Sequence, residues 1–243
     1  MAASPVMADS KTLRRVVLVE DETALRDNYT LALSKAGFDV SGFADGESAL
    51  QSIKQRVPDA VIIDIGLGHD SEAGFELCRS LREFSAQLPL LFLTARDSEL
   101  DIISGLRLGA DDYLTKDISL AQLVARVNTL LRRVDALSHS DSKTETVLVG
   151  KLELNTSRLT AKWAENLLDL TVTEYYLVEA LARRPGQVCS RQQLMEAAKL
   201  VLDDQTITAH IKRIRAKFHV QDSDFSSIQT VYGLGYRWMV EQA

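Results

Sequence analysis

The stretch AVIIDI, residues 60–65, is a continuous apolar run that contains one acidic residue, Asp64. Two further runs have the same character, RVVLV at residues 15–19 and LPLLFL at residues 88–93. Strands are apolar on both sides when helices cover both faces of a parallel sheet. These runs therefore predict a buried parallel sheet in the first half of the chain.

Amphipathic segments alternate with these strands. A short strand is predicted at residues 112–114, and helices are predicted at about 23–36, 46–56, 74–84, 98–108 and 119–133. Five βα units of this size predict an α/β domain with a doubly wound, five-stranded parallel sheet. In such sheets, ligands bind at the carboxyl ends of the strands.

The second half of the chain has a different order of elements. Thr171 with Glu174, and Ser190 with Gln193, have the spacing of capping boxes that begin two helices. A third helix begins near Asp204, and short strands are predicted at 147–149, 152–154, 158–163, 167–170, 228–231 and 236–240. Three helices followed by a β-hairpin predict a winged-helix α+β domain.

A polar stretch separates the two halves. We place a linker at residues 135–146, between a first domain at 14–134 and a second domain at 147–241. The formal net charge of the chain is −6, which by itself argues against DNA binding. All of this net charge lies before residue 138, so the second domain is neutral overall.

The composition excludes several classes of protein. With 46% hydrophobic and 26% charged residues, the chain has the balance of a soluble protein with a core, not of a disordered chain or a globally basic one. No apolar run approaches the ~18 residues of a membrane span, and the first residues lack the order of a secretory signal. Cys78 and Cys189 are too few for a disulfide framework. We expect a cytoplasmic protein with no membrane partner.

Five polar residues are predicted to meet at one edge of the sheet. Glu20 and Asp21 follow the first strand, Asp64 lies near the end of the strand 60–65, and Thr94 and Lys116 follow two later strands. Acidic oxygens suit Mg²⁺, Lys and Thr can bind phosphoryl oxygens, and an aspartate can act as a nucleophile. Taken singly, most of these residues also fit a solvated loop or a helix cap. Asp64 fits less well, because an unpaired buried charge is costly.

The motifs VLVEDE (17–22), IIDIGL (62–67), LFLTARD (91–97) and GADDYLTK (109–116) resemble the receiver domain of bacterial two-component response regulators. The segments TEYYLVEALARRPGQVCSRQQLMEA (173–197), TITAHIKRIRAKF (206–218) and TVYGLGYRW (230–238) resemble the winged-helix effector of the OmpR/PhoB class. The resemblance covers about residues 14–240 in the order of that family. It implies a flavodoxin-like receiver and a transcriptional regulator controlled by phosphorylation.

The resemblance also implies a role for each residue of the site. Asp64 would accept a phosphoryl group from a sensor histidine kinase. The Mg²⁺ ligands would be Glu20, Asp21, Asp64 and the carbonyl of Gly66. The phosphoryl-binding and switch residues would be Thr94, Ala95, Tyr113 and Lys116, with small Ala95 leaving the site open and Tyr113 turning inward with Thr94.

The sequence departs from the family at several places. The loop GLGHDSEAGF (66–75) is about two residues longer than usual, and Asp117 replaces the usual Pro with its cis peptide. We predict a homodimer of the phosphorylated protein through the face at 97–133, with more apolar contact than usual. The residues of this dimer face are Ile102, Arg107, Asp112 and Arg126.

The third helix of the second domain has four basic residues and no acidic one between residues 205 and 220. Ile207, Ile211, Ile214 and Phe218 form its predicted buried stripe. The opposite face would read promoter DNA through Gln205, Ala209, Lys212, Arg213 and Ala216. Flanking and wing contacts are predicted for Thr206, Thr208, Arg215, Lys217, Thr230, Tyr232 and Arg237. Tyr232 stands where the family often has an Arg that enters the minor groove.

Two other functions are compatible with parts of the sequence. A magnesium-dependent phosphatase of the haloacid-dehalogenase type also uses an aspartate nucleophile, but it needs an acid two positions later, where this chain has Gly66. A regulator with a degenerate receiver would bind DNA without phosphorylation. Contact with RNA polymerase is expected through the stretch Lys199–Asp204, which is short and lacks the common Trp-Gly. The preferred interpretation is a DNA-binding regulator and not an enzyme.

Overall fold

The computed structural model of the protein describes residues 13–68, 70, 72–96, 105, 106, 108–138, 146–198 and 204–240. For residues 133–138, 204 and 205 it describes the backbone alone. Most of the helix predicted at 98–108 lies outside these residues. Across the described segments, no helix combines the length and the apolar character needed to cross a membrane.

A parallel sheet forms the centre of the first domain. Its strand order is β2-β1-β3-β4-β5, so the chain winds outward from β1 in both directions. The strands are β1 (Arg14–Val19), β2 (Phe38–Phe43), β3 (Ala60–Ile63), β4 (Leu90–Thr94) and β5 (Asp112–Thr115). All residues of β3 and β4 are buried. The predicted doubly wound fold is confirmed.

The apolar pattern did not reveal β2. Its sequence, FDVSGF, is mixed, and only Phe38 is fully buried. β2 is at the edge of the sheet and pairs with β1 alone. An edge strand borders solvent, so its sequence does not need to be a continuous apolar run.

Four helices with bounds in the described residues flank the sheet: α1 (Thr23–Lys35), α2 (Gly46–Gln55), α3 (Ala73–Phe84) and α4 (Leu120–Ser138). α2 and α3 contribute to the core on one face of the sheet, and α1 and α4 contribute to the core on the other. α4 corrects one predicted boundary, because it continues four residues beyond 134 into the predicted linker. Ala136 and Leu137 have high helix propensity. The polar residues that follow them led to the prediction of an earlier end of the helix.

The described part of the second domain contains a four-stranded antiparallel sheet, three helices and a small three-stranded sheet. Both predicted capping boxes are present, at Thr171 and at Ser190. The elements are β6 (Thr146–Val149), β7 (Leu152–Asn155), β8 (Thr160–Trp163), β9 (Asn166–Leu168), α5 (Val172–Ala182), β10 (Val188–Cys189), α6 (Arg191–Ala197), α7 (Asp204–Gln221), β11 (Ile228–Val231) and β12 (Gly235–Trp238).

An aromatic cluster holds α7 against the sheet and the closing hairpin. The ring of Trp163 lies edge-on to Phe218 and Phe225, with centroids 5.3 and 5.2 Å apart. Trp238 from β12 completes the cluster. The predicted buried stripe of α7 is confirmed, since its three isoleucines and Phe218 are at most 1% exposed. The orientation of α7 is therefore fixed by its apolar face.

The first prediction concerns Gly74, in the first turn of α3. A Cβ there would lie 2.1 Å from the carbonyl oxygen of Asp64 and 2.5 Å from the Cα of Ile65. We expect Gly74→Ala to lower the free energy of unfolding by about 1–3 kcal/mol, because α3 must move away from the loop after β3. Urea unfolding measures this.

Gly66→Ala is the control, because a Cβ at Gly66 would meet no atom within 4 Å. Its effect should stay below about 0.5 kcal/mol. Equal losses in the two variants would contradict the close contact.

Candidate functional site

Three carboxylates meet at the carboxyl end of the parallel sheet. Glu20 and Asp21 follow β1, and Asp64 follows the neighbouring strand β3. One oxygen from each lies within 4.8 Å of the others. Glu20 and Asp64 are buried, whereas Asp21 is exposed. These are hard oxygen donors, and together they fit the ligand preference of Mg²⁺.

Lys116, which follows β5, joins two of these acids. Its Nζ lies 2.7 Å from Oδ2 of Asp64 and 2.8 Å from Oε1 of Glu20. Burial alone would lower the pKa of Lys116, but the hydrogen bonds to Asp64 and Glu20 outweigh burial and raise it. Burial raises the pKa of Glu20, and Lys116 opposes this shift only in part. Lys116 is therefore held in its charged form beside Asp64.

Thr94 and Tyr113 both form hydrogen bonds with the backbone of Arg96. Thr94 ends β4 and is buried, and its Oγ1 accepts a hydrogen bond from the amide of Arg96 at 3.3 Å. The buried ring of Tyr113 lies beside Phe92, and its hydroxyl donates to the carbonyl of Arg96 at 2.9 Å. Ala95 is exposed between these residues. Tyr113 is thus turned inward in this structure.

The long loop after β3 contacts the site through backbone groups. The amide of Gly68 donates to Oδ2 of Asp21 at 3.0 Å, and the amide of Gly66 lies 3.4 Å from Oδ1 of Asp64. His69 and Ser71 lie outside the described residues. Sequence reasoning missed Gly68, because a backbone donor has no side-chain signature. Gly68 has a positive φ of 65°, a backbone conformation that glycine adopts easily because it has no Cβ.

Two further residues border the site without having been predicted. Arg96 pairs with Glu72 at 3.3 Å, which links the segment after β4 to the start of α3. Asp117, in the place of the usual Pro, accepts a hydrogen bond from the hydroxyl of Thr115. No peptide bond among the described residues is cis.

The face of α7 predicted to read DNA is only partly exposed. Thr208, Lys212 and Ala216 are exposed, whereas Thr206 and Ala209 are buried. The side chain of Gln205 lies outside the described residues. Ala209, which was predicted to lie close to the floor of a DNA groove, packs in the core cluster of the first domain in this structure.

A buried glutamate holds two of the predicted DNA contacts. Glu174 of α5 is 0% exposed, and it binds Arg213 and, at 2.6 Å, the Nζ of Lys217. Arg213 also donates to the carbonyl of Leu106 in the first domain. Burial would raise the pKa of Glu174, but Arg213 and Lys217 lower it to about 2. Arg213 and Lys217 therefore face protein groups here, which differs from the predicted orientation toward DNA.

The wing, which is the hairpin of β11 and β12, exposes Tyr232 and Leu234 at its turn, whereas Thr230 and Arg237 hydrogen-bond within the protein. Tyr232 is 92% exposed at the turn between β11 and β12. Thr230 accepts from Arg215 at 2.9 Å, and Arg215 also donates to the carbonyl of Ile228 at 2.8 Å. Arg237 donates to the side chain of Gln229 at 3.0 Å. Arg215 thus connects α7 to the wing.

Comparison with known proteins assigns both domains to families. Residues 16–128 match the response regulator receiver domain, and residues 165–238 match the C-terminal domain of transcriptional regulatory proteins. The chain belongs to the OmpR/PhoB class of response regulators. It is a DNA-binding transcriptional regulator of a two-component system and is controlled by phosphorylation.

Individual relatives cover nearly the whole response regulator. The chain is 42% identical over 224 residues to the transcriptional regulatory protein CreB of Escherichia coli (strain K12). The aligned region covers 91% of this chain and 96% of CreB. The chain is 32% identical over 232 residues to the alkaline phosphatase synthesis transcriptional regulatory protein PhoP of Bacillus subtilis (strain 168), spanning 92% and 96% of the two chains. A solved structure of a RitR mutant shares the fold, with a TM-score of 0.73, 22% identity and coverage of 94% of this chain and 100% of that chain.

The predicted dimer face of the response regulator is described only in part. Asp112 and Arg126 form an ion pair within the chain, with 3.5 Å between Oδ2 and Nη1. Ile102 and Arg107 lie outside the described residues. Dimerisation through this face therefore stays a prediction.

The second prediction concerns Glu174 and pH. Its pKa in the folded protein, about 2, lies below its ordinary value of 4.5, so its stabilising contribution is present above pH 4.5 and is lost as the pH falls toward 2. We expect this loss to reach about 3 kcal/mol. Urea unfolding at a series of pH values measures the slope.

Glu174→Gln should be less stable at neutral pH and should show a flatter dependence between about pH 4.5 and pH 2. Glu179→Gln is the matched control on α5, because Glu179 pairs with Arg183 at the surface. A slope unchanged by Glu174→Gln would contradict the assignment.

Proposed function

We propose that Asp64 is the residue of this response regulator that accepts the phosphoryl group. The observation that carries the proposal is the position of the Lys116 amine, 2.7 Å from Asp64 and within hydrogen-bonding distance of Glu20. An aspartate that ends a buried strand beside a cation and two further acids has the chemistry of a phosphoacceptor. The donor would be a phosphohistidine of a sensor histidine kinase.

The transfer is a displacement at phosphorus. A carboxylate oxygen of Asp64 forms the new P–O bond, the P–N bond of phosphohistidine breaks, and its electron pair stays on the histidine nitrogen. The product is an acyl phosphate on Asp64. Lys116 is positioned to bind a phosphoryl oxygen by exchanging its contact with the unmodified carboxylate.

Glu20, Asp21, Asp64 and the carbonyl of Gly66 would hold Mg²⁺. When bound, the ion supplies positive charge that stabilises the phosphoryl oxygens. The Gly68 amide fixes one oxygen of Asp21 and leaves the other for a ligand. Exposed Ala95 leaves the site accessible to the donor.

Thr94 and Tyr113 would report the phosphoryl group to the rest of the domain. Thr94 would donate its hydroxyl to a phosphoryl oxygen and give up its acceptor role toward Arg96. Because Tyr113 donates to the carbonyl of the same residue, a shift of Arg96 would change the environment of Tyr113. We propose that this change favours a homodimer through the face that contains Asp112 and Arg126.

In the second domain, we propose that α7 enters the major groove of promoter DNA and that Tyr232 contacts the adjoining backbone. Among the described Lys and Arg side chains of α7, Lys212 alone is exposed. The other proposed contacts are Gln205, Thr206, Thr208, Ala209, Arg213, Arg215, Lys217, Thr230 and Arg237. RNA polymerase is a proposed partner of the stretch Lys199–Asp204, and the cytoplasm is the proposed location.

The third prediction tests the phosphoacceptor. Asp64→Asn should abolish the mass gain of one phosphoryl group after treatment with acetyl phosphate and Mg²⁺, because the amide is a poor nucleophile. Asp39→Asn, an exposed change on β2, is the control and should label like the unmodified protein. Persistent labelling of Asp64→Asn would show that another residue accepts the phosphoryl group.

Unchanged DNA affinity in Asp64→Ala would favour a regulator that acts without phosphorylation.

The fourth prediction tests α7. Lys212→Ala should weaken binding to a 30-base-pair duplex and reduce the slope of log affinity against log salt by about one, because one phosphate contact is lost. Fluorescence anisotropy at several salt concentrations measures both quantities. Lys54→Ala makes the same change of charge on α2 and should leave the slope unaltered. An identical slope in both variants would show that Lys212 does not contact DNA.

A further inference from the structure

The loop that carries two of the three site acids is held by an arginine of the following helix. Nη1 of Arg26, near the start of α1, donates to the carbonyl of Glu20 at 2.7 Å and to the carbonyl of Asp21 at 3.1 Å. Its second terminal nitrogen, Nη2, donates to the hydroxyl oxygen of Thr23 at 3.2 Å. One guanidinium therefore fixes the two peptide carbonyls that follow β1.

The local structure explains why Arg26 reaches back over this loop. Side chains on an α-helix lean toward its N-terminus, so a long side chain near the start of α1 projects over the residues that precede the helix. The stem of Arg26 packs against β2, because a Cβ at Gly42 would lie 3.1 Å from its Cγ and 3.2 Å from its Cδ. Gly42 thus leaves the space that the stem occupies.

Arg26 and Lys116 contact different atoms of the acids. Lys116 donates to carboxylate oxygens of Glu20 and Asp64, which are atoms that a metal ion would use. Arg26 donates to the backbone carbonyls of Glu20 and Asp21 and leaves the carboxylates available. The contacts of Arg26 can therefore persist when a metal ion is bound.

The three carboxylates need such support, because like charges repel one another at short distance. One oxygen from each of Glu20, Asp21 and Asp64 lies within 4.8 Å of the others, and Asp21 is exposed to solvent. A loop that was free to move would relieve the repulsion by turning Asp21 away from the other two acids. A loop that is fixed before a metal ion arrives avoids this rearrangement, which strengthens binding.

We propose that Arg26 is a positioning residue of the metal site, which holds the peptide groups of Glu20 and Asp21 so that their carboxylates face Asp64 before a divalent cation binds. This role rests on the proposed Mg²⁺ site but not on Asp64 as the phosphoacceptor. Charge alone would act in the opposite direction, because a guanidinium near the site repels a cation. The sign of the change in metal affinity therefore separates the two effects.

Binding of Mn²⁺ to the full-length protein tests this role. Mn²⁺ suits the same oxygen ligands as Mg²⁺, and the electron paramagnetic resonance signal of the free ion gives the bound fraction. We expect Arg26→Met to raise the Kd for Mn²⁺ at least about fivefold, because Met keeps an unbranched stem beside Gly42 but removes the donors. An equal or lower Kd in Arg26→Met would overturn the proposal.

Two further variants separate the hydrogen bonds from charge and from folding. Arg26→Lys keeps the charge and one donor nitrogen, so its Kd should lie between the other two values and at least about twofold above that of the unmodified protein. An unchanged Kd in Arg26→Lys would contradict the role of the guanidinium even if Arg26→Met failed to fold. Lys35→Met removes an exposed charge from the last turn of α1 and should change the Kd by less than about twofold. A fivefold rise there would attribute the effect to the charge of α1.

Phosphorylation by acetyl phosphate gives a second readout. In Arg26→Met, the Mg²⁺ concentration at the half-maximal rate should rise, whereas the rate at saturating Mg²⁺ should stay within about twofold, because the bound ion then orders the loop. A lower saturating rate at an unchanged half-maximal concentration would overturn the positioning role.

Failure of the proposed function would be recognised separately. If the unmodified protein bound no Mn²⁺, the proposed metal site would fail, and the role of Arg26 would fail with it. If Asp64→Asn still became labelled, the proposed phosphoacceptor would fail. The Mn²⁺ affinities would still decide the role of Arg26 in that case.

Discussion

Buried carboxylates without a compensating cation are costly in a protein interior. Among the described residues, three groups of buried carboxylates are paired with a Lys or Arg that lies far away in the sequence. Each pairing therefore ties together elements that are far apart in the chain. The groups are Glu20 and Asp64 with Lys116, Asp111 with Arg82, and Glu174 with Arg213 and Lys217. The first organises the strand ends of the receiver, the second faces the effector, and the third holds α7.

The same constraint changes the meaning of the positive charge on α7. Four basic residues between positions 205 and 220 suggest a strongly positive surface. Arg213 and Lys217 neutralise Glu174, and Arg215 is bound to the carbonyl of Ile228 and to the wing. Lys212 is the one of the four that is exposed. A large part of the positive charge stabilises the fold of this conformation instead of facing DNA.

Much of the fold and of the candidate site was predictable because the signals are local. Apolar runs mark β1, β3 and β4, and capping boxes mark the starts of α5 and α6. The convergence of Glu20, Asp64 and Lys116 follows from the rule that parallel strands end at one edge. Edge strand β2 lacked an apolar run, and the Gly68 amide bound to Asp21 lacked any side chain that could signal it.

The sequence by itself determined the family, the sheet, the acidic site and the buried stripe of α7, because each depends on periodicity, spacing or motif within a short segment. Only the tertiary structure decided what covers the opposite face of α7. Helical periodicity tells which side chains point away from their own domain, but it contains no information about a second domain that packs there. Ala209 and Arg213 were assigned to the DNA-reading face for this reason, and their contacts with the receiver come from residues about a hundred positions earlier in the chain.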